Sequence, residues 1–299
     1  MDSEARQEVL VRAMPVVFVL IWSTGFIAAR LAMPNSPPMK FLALRYVLSV
    51  LCFAVWAFSA RALWPRSRRQ AAHLAVVGVL MHAGYLGGVW TAVKLGMGAG
   101  LSALLVSLQP VLTAVWVSSR GGRVSASQWG GLALGLGGLA LVVWHKVGLG
   151  EIHPANLLSA LVALVSITVG TLYQKRFVGP CDVRTANLVQ LAAAFAVTLP
   201  LALLETEGMR WNGELVVAMG WSVLGMTLGG SSLLYLLIQR GAATAVTSLL
   251  YLVPPCTALM AWLLFAEPIT ALTVAGMVLT VFGVSLVVRA PAAPARAAQ

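Results

Sequence analysis

Residues 241–288, GAATAVTSLLYLVPPCTALMAWLLFAEPITALTVAGMVLTVFGVSLVV, are echoed 145 residues earlier in the chain, and no other feature narrows the permissible folds so far. A constant offset superposes Gly96 on Gly241, Leu104 and Leu105 on Leu249 and Leu250, Pro110 on Pro255, Gly131 on Gly276, Gly138 on Gly283, and Leu141-Val142-Val143 on Leu286-Val287-Val288, with no gap. The same offset pairs Gly84 with Gly229, Trp90 with Tyr235, Gly25 with Gly170 and the basic Arg30 with Lys175, so the repeat spans nearly the whole chain. Self-similarity of this kind predicts two copies of one structural unit.

The units are membrane-embedded. Of 299 residues, 60% are hydrophobic and 10% charged, and the mean hydropathy is +0.89, a composition no wetted domain surface tolerates. Runs of roughly 20 apolar residues, each long enough to cross a ~30 Å hydrocarbon core as a helix, recur along the full length. They lack the polar-apolar alternation of barrel strands. A net charge of +11 would point to nucleic acid in a soluble protein; here it reflects positive residues gathered on one side of a bilayer, and no nucleic-acid partner is expected. Cys52, Cys181 and Cys256 are scattered and odd in number, so neither a disulfide framework nor a metal site is expected.

The apolar runs predict ten helices, at 11–33, 38–60, 70–95, 99–119, 125–145, 154–178, 183–204, 215–240, 242–265 and 268–289. Pro38, Pro154 and Pro268 stand at or near helix starts, where a missing N–H costs nothing. The first span follows the short polar start without a cleavage site, so no cleaved signal peptide is expected, and the Pro-rich end at 290–299 reads as a disordered tail. With the amino terminus in the cytoplasm, the inner loops carry Arg6, Arg12, Arg61, Arg66, Arg68, Arg69, Arg120, Arg123, Lys175, Arg176, Arg184, Arg240, Arg289 and Arg296. The outer ones keep only Arg30, Lys40, Lys94, Lys146 and Arg210, so both termini are expected to be cytoplasmic. Five spans per copy is an odd number, which forces the second copy to enter the membrane from the opposite face. The expected fold is therefore an all-α integral membrane protein of ten transmembrane helices, built as a 5+5 inverted repeat of residues 11–145 and 154–289. That plan suits secondary transporters, whose halves exchange inward-open and outward-open shapes around a midplane site.

On WSTGF at 22–26, PPMKFLALRY at 37–46, a proline in each of the fourth and ninth helices, and FAEPIT followed by a glycine-rich helix at 265–283, the sequence resembles the drug/metabolite transporter superfamily and, within it, the EamA-type ten-helix transporters. The resemblance covers essentially the full chain. The sequence departs from the family at 120–125, where RGGRVS stands in place of a Gly-Glu pair. The resemblance implies metabolite export across a bacterial inner membrane, and the chain is most similar to exporters of amino acids, including the aromatic amino-acid exporters of the YddG type.

Polar and aromatic groups inside the spans are the candidates for substrate contact, because such groups are costly in hydrocarbon. His82 lies mid-span with Tyr85 one turn on, on the same helical face. Trp22 is central in its span, whereas Trp56, Trp64, Trp129, Trp144, Trp211 and Trp262 lie toward helix ends and belong to the interfacial belt. Trp90 and its repeat partner Tyr235, with Tyr173 and Tyr251, complete an aromatic set that serves either as a cavity wall or as ordinary helix packing. Gln109-Pro110 and Pro254-Pro255 interrupt the fourth and ninth helices and free backbone carbonyls there. The expected substrate contacts are thus Trp22, His82, Tyr85, Trp90, Gln109, Tyr173, Tyr235 and Tyr251, with Pro110, Pro254 and Pro255 as hinges. Gly131, Gly135, Gly276 and Gly283 give the fifth and tenth helices small faces that fit each other, so a monomer is expected. Arg45 is the charge left within a span; it either anchors a helix end or loop, or meets a substrate carboxylate.

All nine acidic residues fall in termini, loops or helix ends, so a proton-for-cation exchange through a membrane carboxylate has no candidate. No GxxxxGK[ST] pattern for ATP is present, and no catalytic or metal-ligating constellation. The expectation is a non-enzymatic carrier without cofactors, exporting small neutral or zwitterionic metabolites, foremost amino acids, as a uniporter. The alternative is export of apolar drugs or of nucleoside or sugar derivatives, with proton coupling through His82.

Overall fold

Helices begin in this protein where the sequence supplies partners for otherwise orphaned backbone amides. The computed structural model describes residues 3–121, 125–148, 151–230, 232–233 and 252–289, and the side chains of these apart from 3–13, 15, 117 and 287–289. Helix α1 runs over Ser3–Ala32. Helix α2, Pro38–Ser59, opens on a proline, and its Met39 and Lys40 amides donate to the two oxygens of Glu205 at 3.0 and 2.8 Å. Ser67 caps α3, Arg68–Gly78, which passes through a π-helical stretch, Val79–Gly84, into α4, Tyr85–Lys94. The fourth expected span divides into α5, Ala99–Val106, and α6, Gln109–Ser119. Pro110 stands in the first turn of α6, where its ring needs no upstream acceptor, and the chain turns at Ser107 and Leu108 just before it.

Helix α7 covers Ala126–Gly148. Helix α8, Pro154–Phe177, opens with a reciprocal His153–Asn156 cap. Asp182 caps α9, Val183–Leu204, and the hydrogen-bonded Arg184 guanidinium holds its carboxyl below the usual range. Asn212 caps α10, Gly213–Gly220, which continues into a second π-helical stretch, Trp221–Gly230. Helix α11, Val253–Phe265, has its prolines in the first turn, and α12 spans Ala271–Arg289, three residues later than expected for the tenth helix. Seven of the helical stretches are long and apolar enough to cross a membrane, and Val16–Ala32, Val253–Phe265 and Ala271–Leu286 are shorter apolar helices. Among the described residues no strand occurs, as the sequence predicts. The tail at 290–299 and most of the expected eighth-to-ninth helix junction lie outside the described residues.

Helices α7 and α12 pack antiparallel through glycine. A Cβ placed on Gly276 would stand 2.6 Å from the Gly138 carbonyl oxygen, and one on Gly283 would stand 2.5 Å from the Gly131 carbonyl oxygen. Under the 145-residue offset these two contacts exchange: Gly131 corresponds to Gly276 and Gly138 to Gly283. Thr280 Oγ1 donates to the Gly135 carbonyl at 3.3 Å, and these two residues correspond to each other. Reciprocal contacts around a self-paired position are the pattern of a local two-fold axis. Small faces also let the backbones approach closely enough for that hydrogen bond.

At the end of the bundle where α1 finishes and α5 begins, polar groups tie several elements together. Ala266 turns into the left-handed region with φ 53°. The Glu267 that follows accepts from the Ala99 amide at 3.1 Å and pairs with Arg30 at 3.4 Å. Thus the FAEP segment stops one helix, caps another and holds a third. Lys94 pairs with Glu207 at 2.7 Å nearby, which keeps that exposed carboxyl below its usual range.

Candidate functional site

Arg45 lies about two turns into α2 and is 5% exposed. Its Nη2 donates to Thr227 Oγ1 at 3.1 Å, and its guanidinium carbon stands 6.0 Å from the Trp90 ring. Nε and Nη1 have no hydrogen-bond partner. Thr227 belongs to the second π-helical stretch and itself donates to the Ser222 carbonyl five residues back at 2.7 Å, a bond that wider turn permits.

The offset that organises the sequence also organises this site. Arg45 corresponds to Gln190 on α9, and Thr227 corresponds to His82 in the first π-helical stretch. Gln190 is 9% exposed, and its side chain lies within reach of His82. Arg45 therefore reaches from the first half to the second, and Gln190 reaches from the second half to the first, each ending on the equivalent π-helical residue. A second couple repeats the exchange. A Cβ on Gly25 would stand 2.5 Å from Met226 Cε, and one on Gly170 would stand 2.7 Å from Met81 Cγ. The π-helical stretches themselves correspond, since Val79–Gly84 shifted by the offset falls at 224–229, inside Trp221–Gly230. Such stretches occur often at functional sites because their wider turns leave backbone groups free. One of these groups, the His82 carbonyl, accepts from Tyr46 Oη at 2.9 Å.

The electrostatics of the site are one-sided. The other deeply buried cation among the described residues, Lys146, is 6% exposed and is held by both oxygens of Glu151 at 2.7 Å. Among the described ion pairs none involves Arg45. Five buried side-chain atoms among the described residues lack a partner, and four of them, Arg45 Nε and Nη1, Ser49 Oγ and Ser222 Oγ, sit on α2 and on the π-helical stretch packed against it. Buried donors without acceptors are costly, so their concentration on two facing elements marks a place built to receive polar groups from elsewhere. Among the described residues no group of His, Cys, Asp and Glu is arranged to hold a metal.

Of the residues the sequence singled out, His82 and Tyr85 are within electrostatic reach of Arg45. Trp90 is 1% exposed and stacks on Phe41 at 4.4 Å, so it is a packing residue whose face the Arg45 guanidinium approaches. Trp22 is half-buried in α1 and lies 5.4 Å from the Phe18 ring. Two candidates stand apart from Arg45. Gln109 Nε2 donates to Thr171 Oγ1 at 2.8 Å on α8, and Tyr173 Oη bonds His73 Nδ1 at 2.8 Å in a cluster with Phe177. Tyr235 and Tyr251 lie outside the described residues. Pro110 and Pro255 both stand in the first turn of a helix, as does Pro254. Sequence reasoning left Arg45 between two roles and missed Gln190, Thr227, Ser49 and Ser222. Applying the offset to polar residues as well as to identical ones would have found the first two.

The fold is that of a helical multi-pass membrane protein with a polar cluster buried among its helices. The chain belongs to the EamA-like transporter family, which it matches twice, over residues 13–144 and 155–289. It is similar to the "Uncharacterized transporter YvbV" of Bacillus subtilis, at 25% identity over 282 residues, covering 90% of this chain and 88% of the relative. It is also similar to the "Uncharacterized inner membrane transporter YedA" of Escherichia coli K12, 24% identical with 90% and 87% covered. A "Probable amino-acid metabolite efflux pump" of Salmonella typhimurium is 24% identical with 90% and 91% covered. One solved crystal structure shares the fold, with a TM-score of 0.61 at 17% identity over 93% of this chain and 96% of its own. The protein is therefore a transporter and not an enzyme, as the sequence predicts.

Proposed function

We propose that this transporter exports small neutral or zwitterionic metabolites, foremost amino acids including aromatic ones, by alternating access between two inverted halves, 11–145 and 154–289. The observation that carries the reading is the exchange of partners between Arg45–Thr227 and Gln190–His82. Two equivalent crossings give the halves a shared pivot, so that either half can take the shape of the other, which is how inverted repeats open alternately to the two faces. The name of the Salmonella relative favours amino acids over other small solutes. The charge asymmetry of the loops favours cytoplasmic termini, and the glycine faces of α7 and α12, already matched within one chain, favour a monomer. No acidic residue stands mid-span to carry a proton, which favours uniport.

The test is counterflow in liposomes containing the purified protein. Vesicles preloaded with unlabelled phenylalanine should take up labelled phenylalanine or leucine transiently above its equilibrium level, and labelled uridine or glucose should not enter faster than in empty vesicles. Exchange of uridine or glucose without amino-acid exchange would replace the amino-acid reading with the alternative substrate class.

A further inference from the structure

We infer that Arg45 is the carboxylate-binding residue of the transport site, and that the site selects solutes by one carboxylate and not by an amino group; this rests on the reading of the protein as a carrier. A guanidinium presents its N–H donors in a planar fork that fits a carboxylate through two parallel bonds. In Arg45 one hydrogen of Nη2 is engaged, by Thr227, while Nε and Nη1 are free of partners although the residue is 5% exposed, so the second Nη2 hydrogen can complete a fork with whichever of the two shares its edge. An arginine kept in a span without a counter-ion is costly, so what neutralises it must come from outside the described set of ion pairs.

The equivalent position in the other half carries an amide. Gln190 matches Arg45 in place but brings no charge, so the two crossings form a site that is cationic at one end and neutral at the other. One negative charge balances it. A carboxylate meets that need, whereas a phosphate monoester near neutral pH brings close to two charges and leaves an excess in the low-dielectric interior. A free ammonium finds no acidic partner among the described spans. The hydroxyls of Ser49 and Ser222, both buried and without partners, offer further donors on the elements that flank the guanidinium.

The experiment measures thermal unfolding of the purified full chain in detergent with matched ligands. These are L-phenylalanine, 3-phenylpropanoate, 2-phenylethylamine and phenyl phosphate, together with L-leucine and 4-methylpentanoate. The carboxylates should raise the melting temperature of the wild type in a concentration-dependent way; the amine and the phosphate should leave it unchanged. Arg45→Met should melt no lower than the wild type without ligand, because the unbalanced buried charge is gone, and should respond to none of the compounds. Stabilisation by the amine as strong as by phenylalanine, stabilisation by phenyl phosphate, an undiminished carboxylate response in Arg45→Met, or no response of the wild type to any carboxylate overturns the assignment. A response to 3-phenylpropanoate and 4-methylpentanoate but not to either amino acid keeps Arg45 as the carboxylate site and removes the amino-acid reading. Should Arg45→Met not fold, the wild-type panel decides by itself.

Discussion

Arg45 and Gln190 occupy corresponding positions 145 residues apart, and each meets the π-helical residue that corresponds to the other's partner: Arg45 hydrogen-bonds Thr227, and Gln190 lies within reach of His82. The crossing predicts a specific energetic pattern. Thr227→Val removes the acceptor of a buried charged donor, so it should lower stability by about 1.5–3 kcal/mol, the worth of a hydrogen bond to a charged group. In an Arg45→Met background the same change should cost well under half of that, because nothing charged is left unpaired. Chemical denaturation of the four proteins of this cycle checks it, and equal costs in both backgrounds would separate Thr227 from Arg45.

The glycine seam of α7 and α12 gives a second prediction with an internal control. A side chain on Gly138 meets Thr280 Oγ1 at 2.7 Å from its Cβ position, whereas one on Gly137 has nothing within 4 Å. Gly138→Leu should therefore destabilise by about 1–3 kcal/mol or more, through separation of the two helices. Gly137→Ala should be neutral or gain up to about 1 kcal/mol from helix propensity. Thermal melts of the two variants side by side suffice. Equal behaviour would mean that the helices do not meet as described.

Much of the fold is legible in the sequence because membrane helices must satisfy their own backbones and declare themselves by apolar length. The seventh expected helix, 183–204, coincides with α9, since Asp182 marks its start and the apolar run sets its length. The site was harder to read for a physical reason. Repeats reveal themselves through identical small residues that fix backbone approach, such as Gly131 and Gly276, while the functional pairs differ in chemistry between the halves. Arg45 against Gln190, and His82 against Thr227, look like mismatches until the contacts place them together. The π-helical stretches have no local signature at all. Gln109 and Tyr173 looked available for substrate because the sequence does not disclose Thr171 and His73 as their partners.

The break at Ser107–Leu108 is set by Pro110, and Pro255 holds the corresponding place in the other half. Pro110→Ala and Pro255→Ala should each leave a folded protein in which counterflow slows by about tenfold, equivalent to ~1.4 kcal/mol on the barrier, because a continuous helix favours one end state. Wild-type rates in both folded variants would make these breaks static features of packing.

Uniport has its own test. With phenylalanine equal on both sides of the vesicles, a pH step across the membrane should drive no net accumulation. Accumulation that disappears in His82→Gln while exchange persists would overturn uniport and identify His82, the partner of Gln190, as the coupling residue.

Alternating access requires the site around Arg45 to open to each face of the membrane in turn. Ser49 lies one turn from Arg45 on α2 and is fully buried, so a cysteine there, in a protein freed of Cys52, Cys181 and Cys256, reports on that site. The measurement is the rate at which membrane-impermeant thiol reagents modify Ser49→Cys in right-side-out and in inverted vesicles. Alternating access around Arg45 predicts modification from both sides, faster with an anionic reagent than with a cationic one of equal size, and slowed from both sides by phenylalanine. Modification from one side only, or at rates indifferent to reagent charge and to phenylalanine, would contradict it.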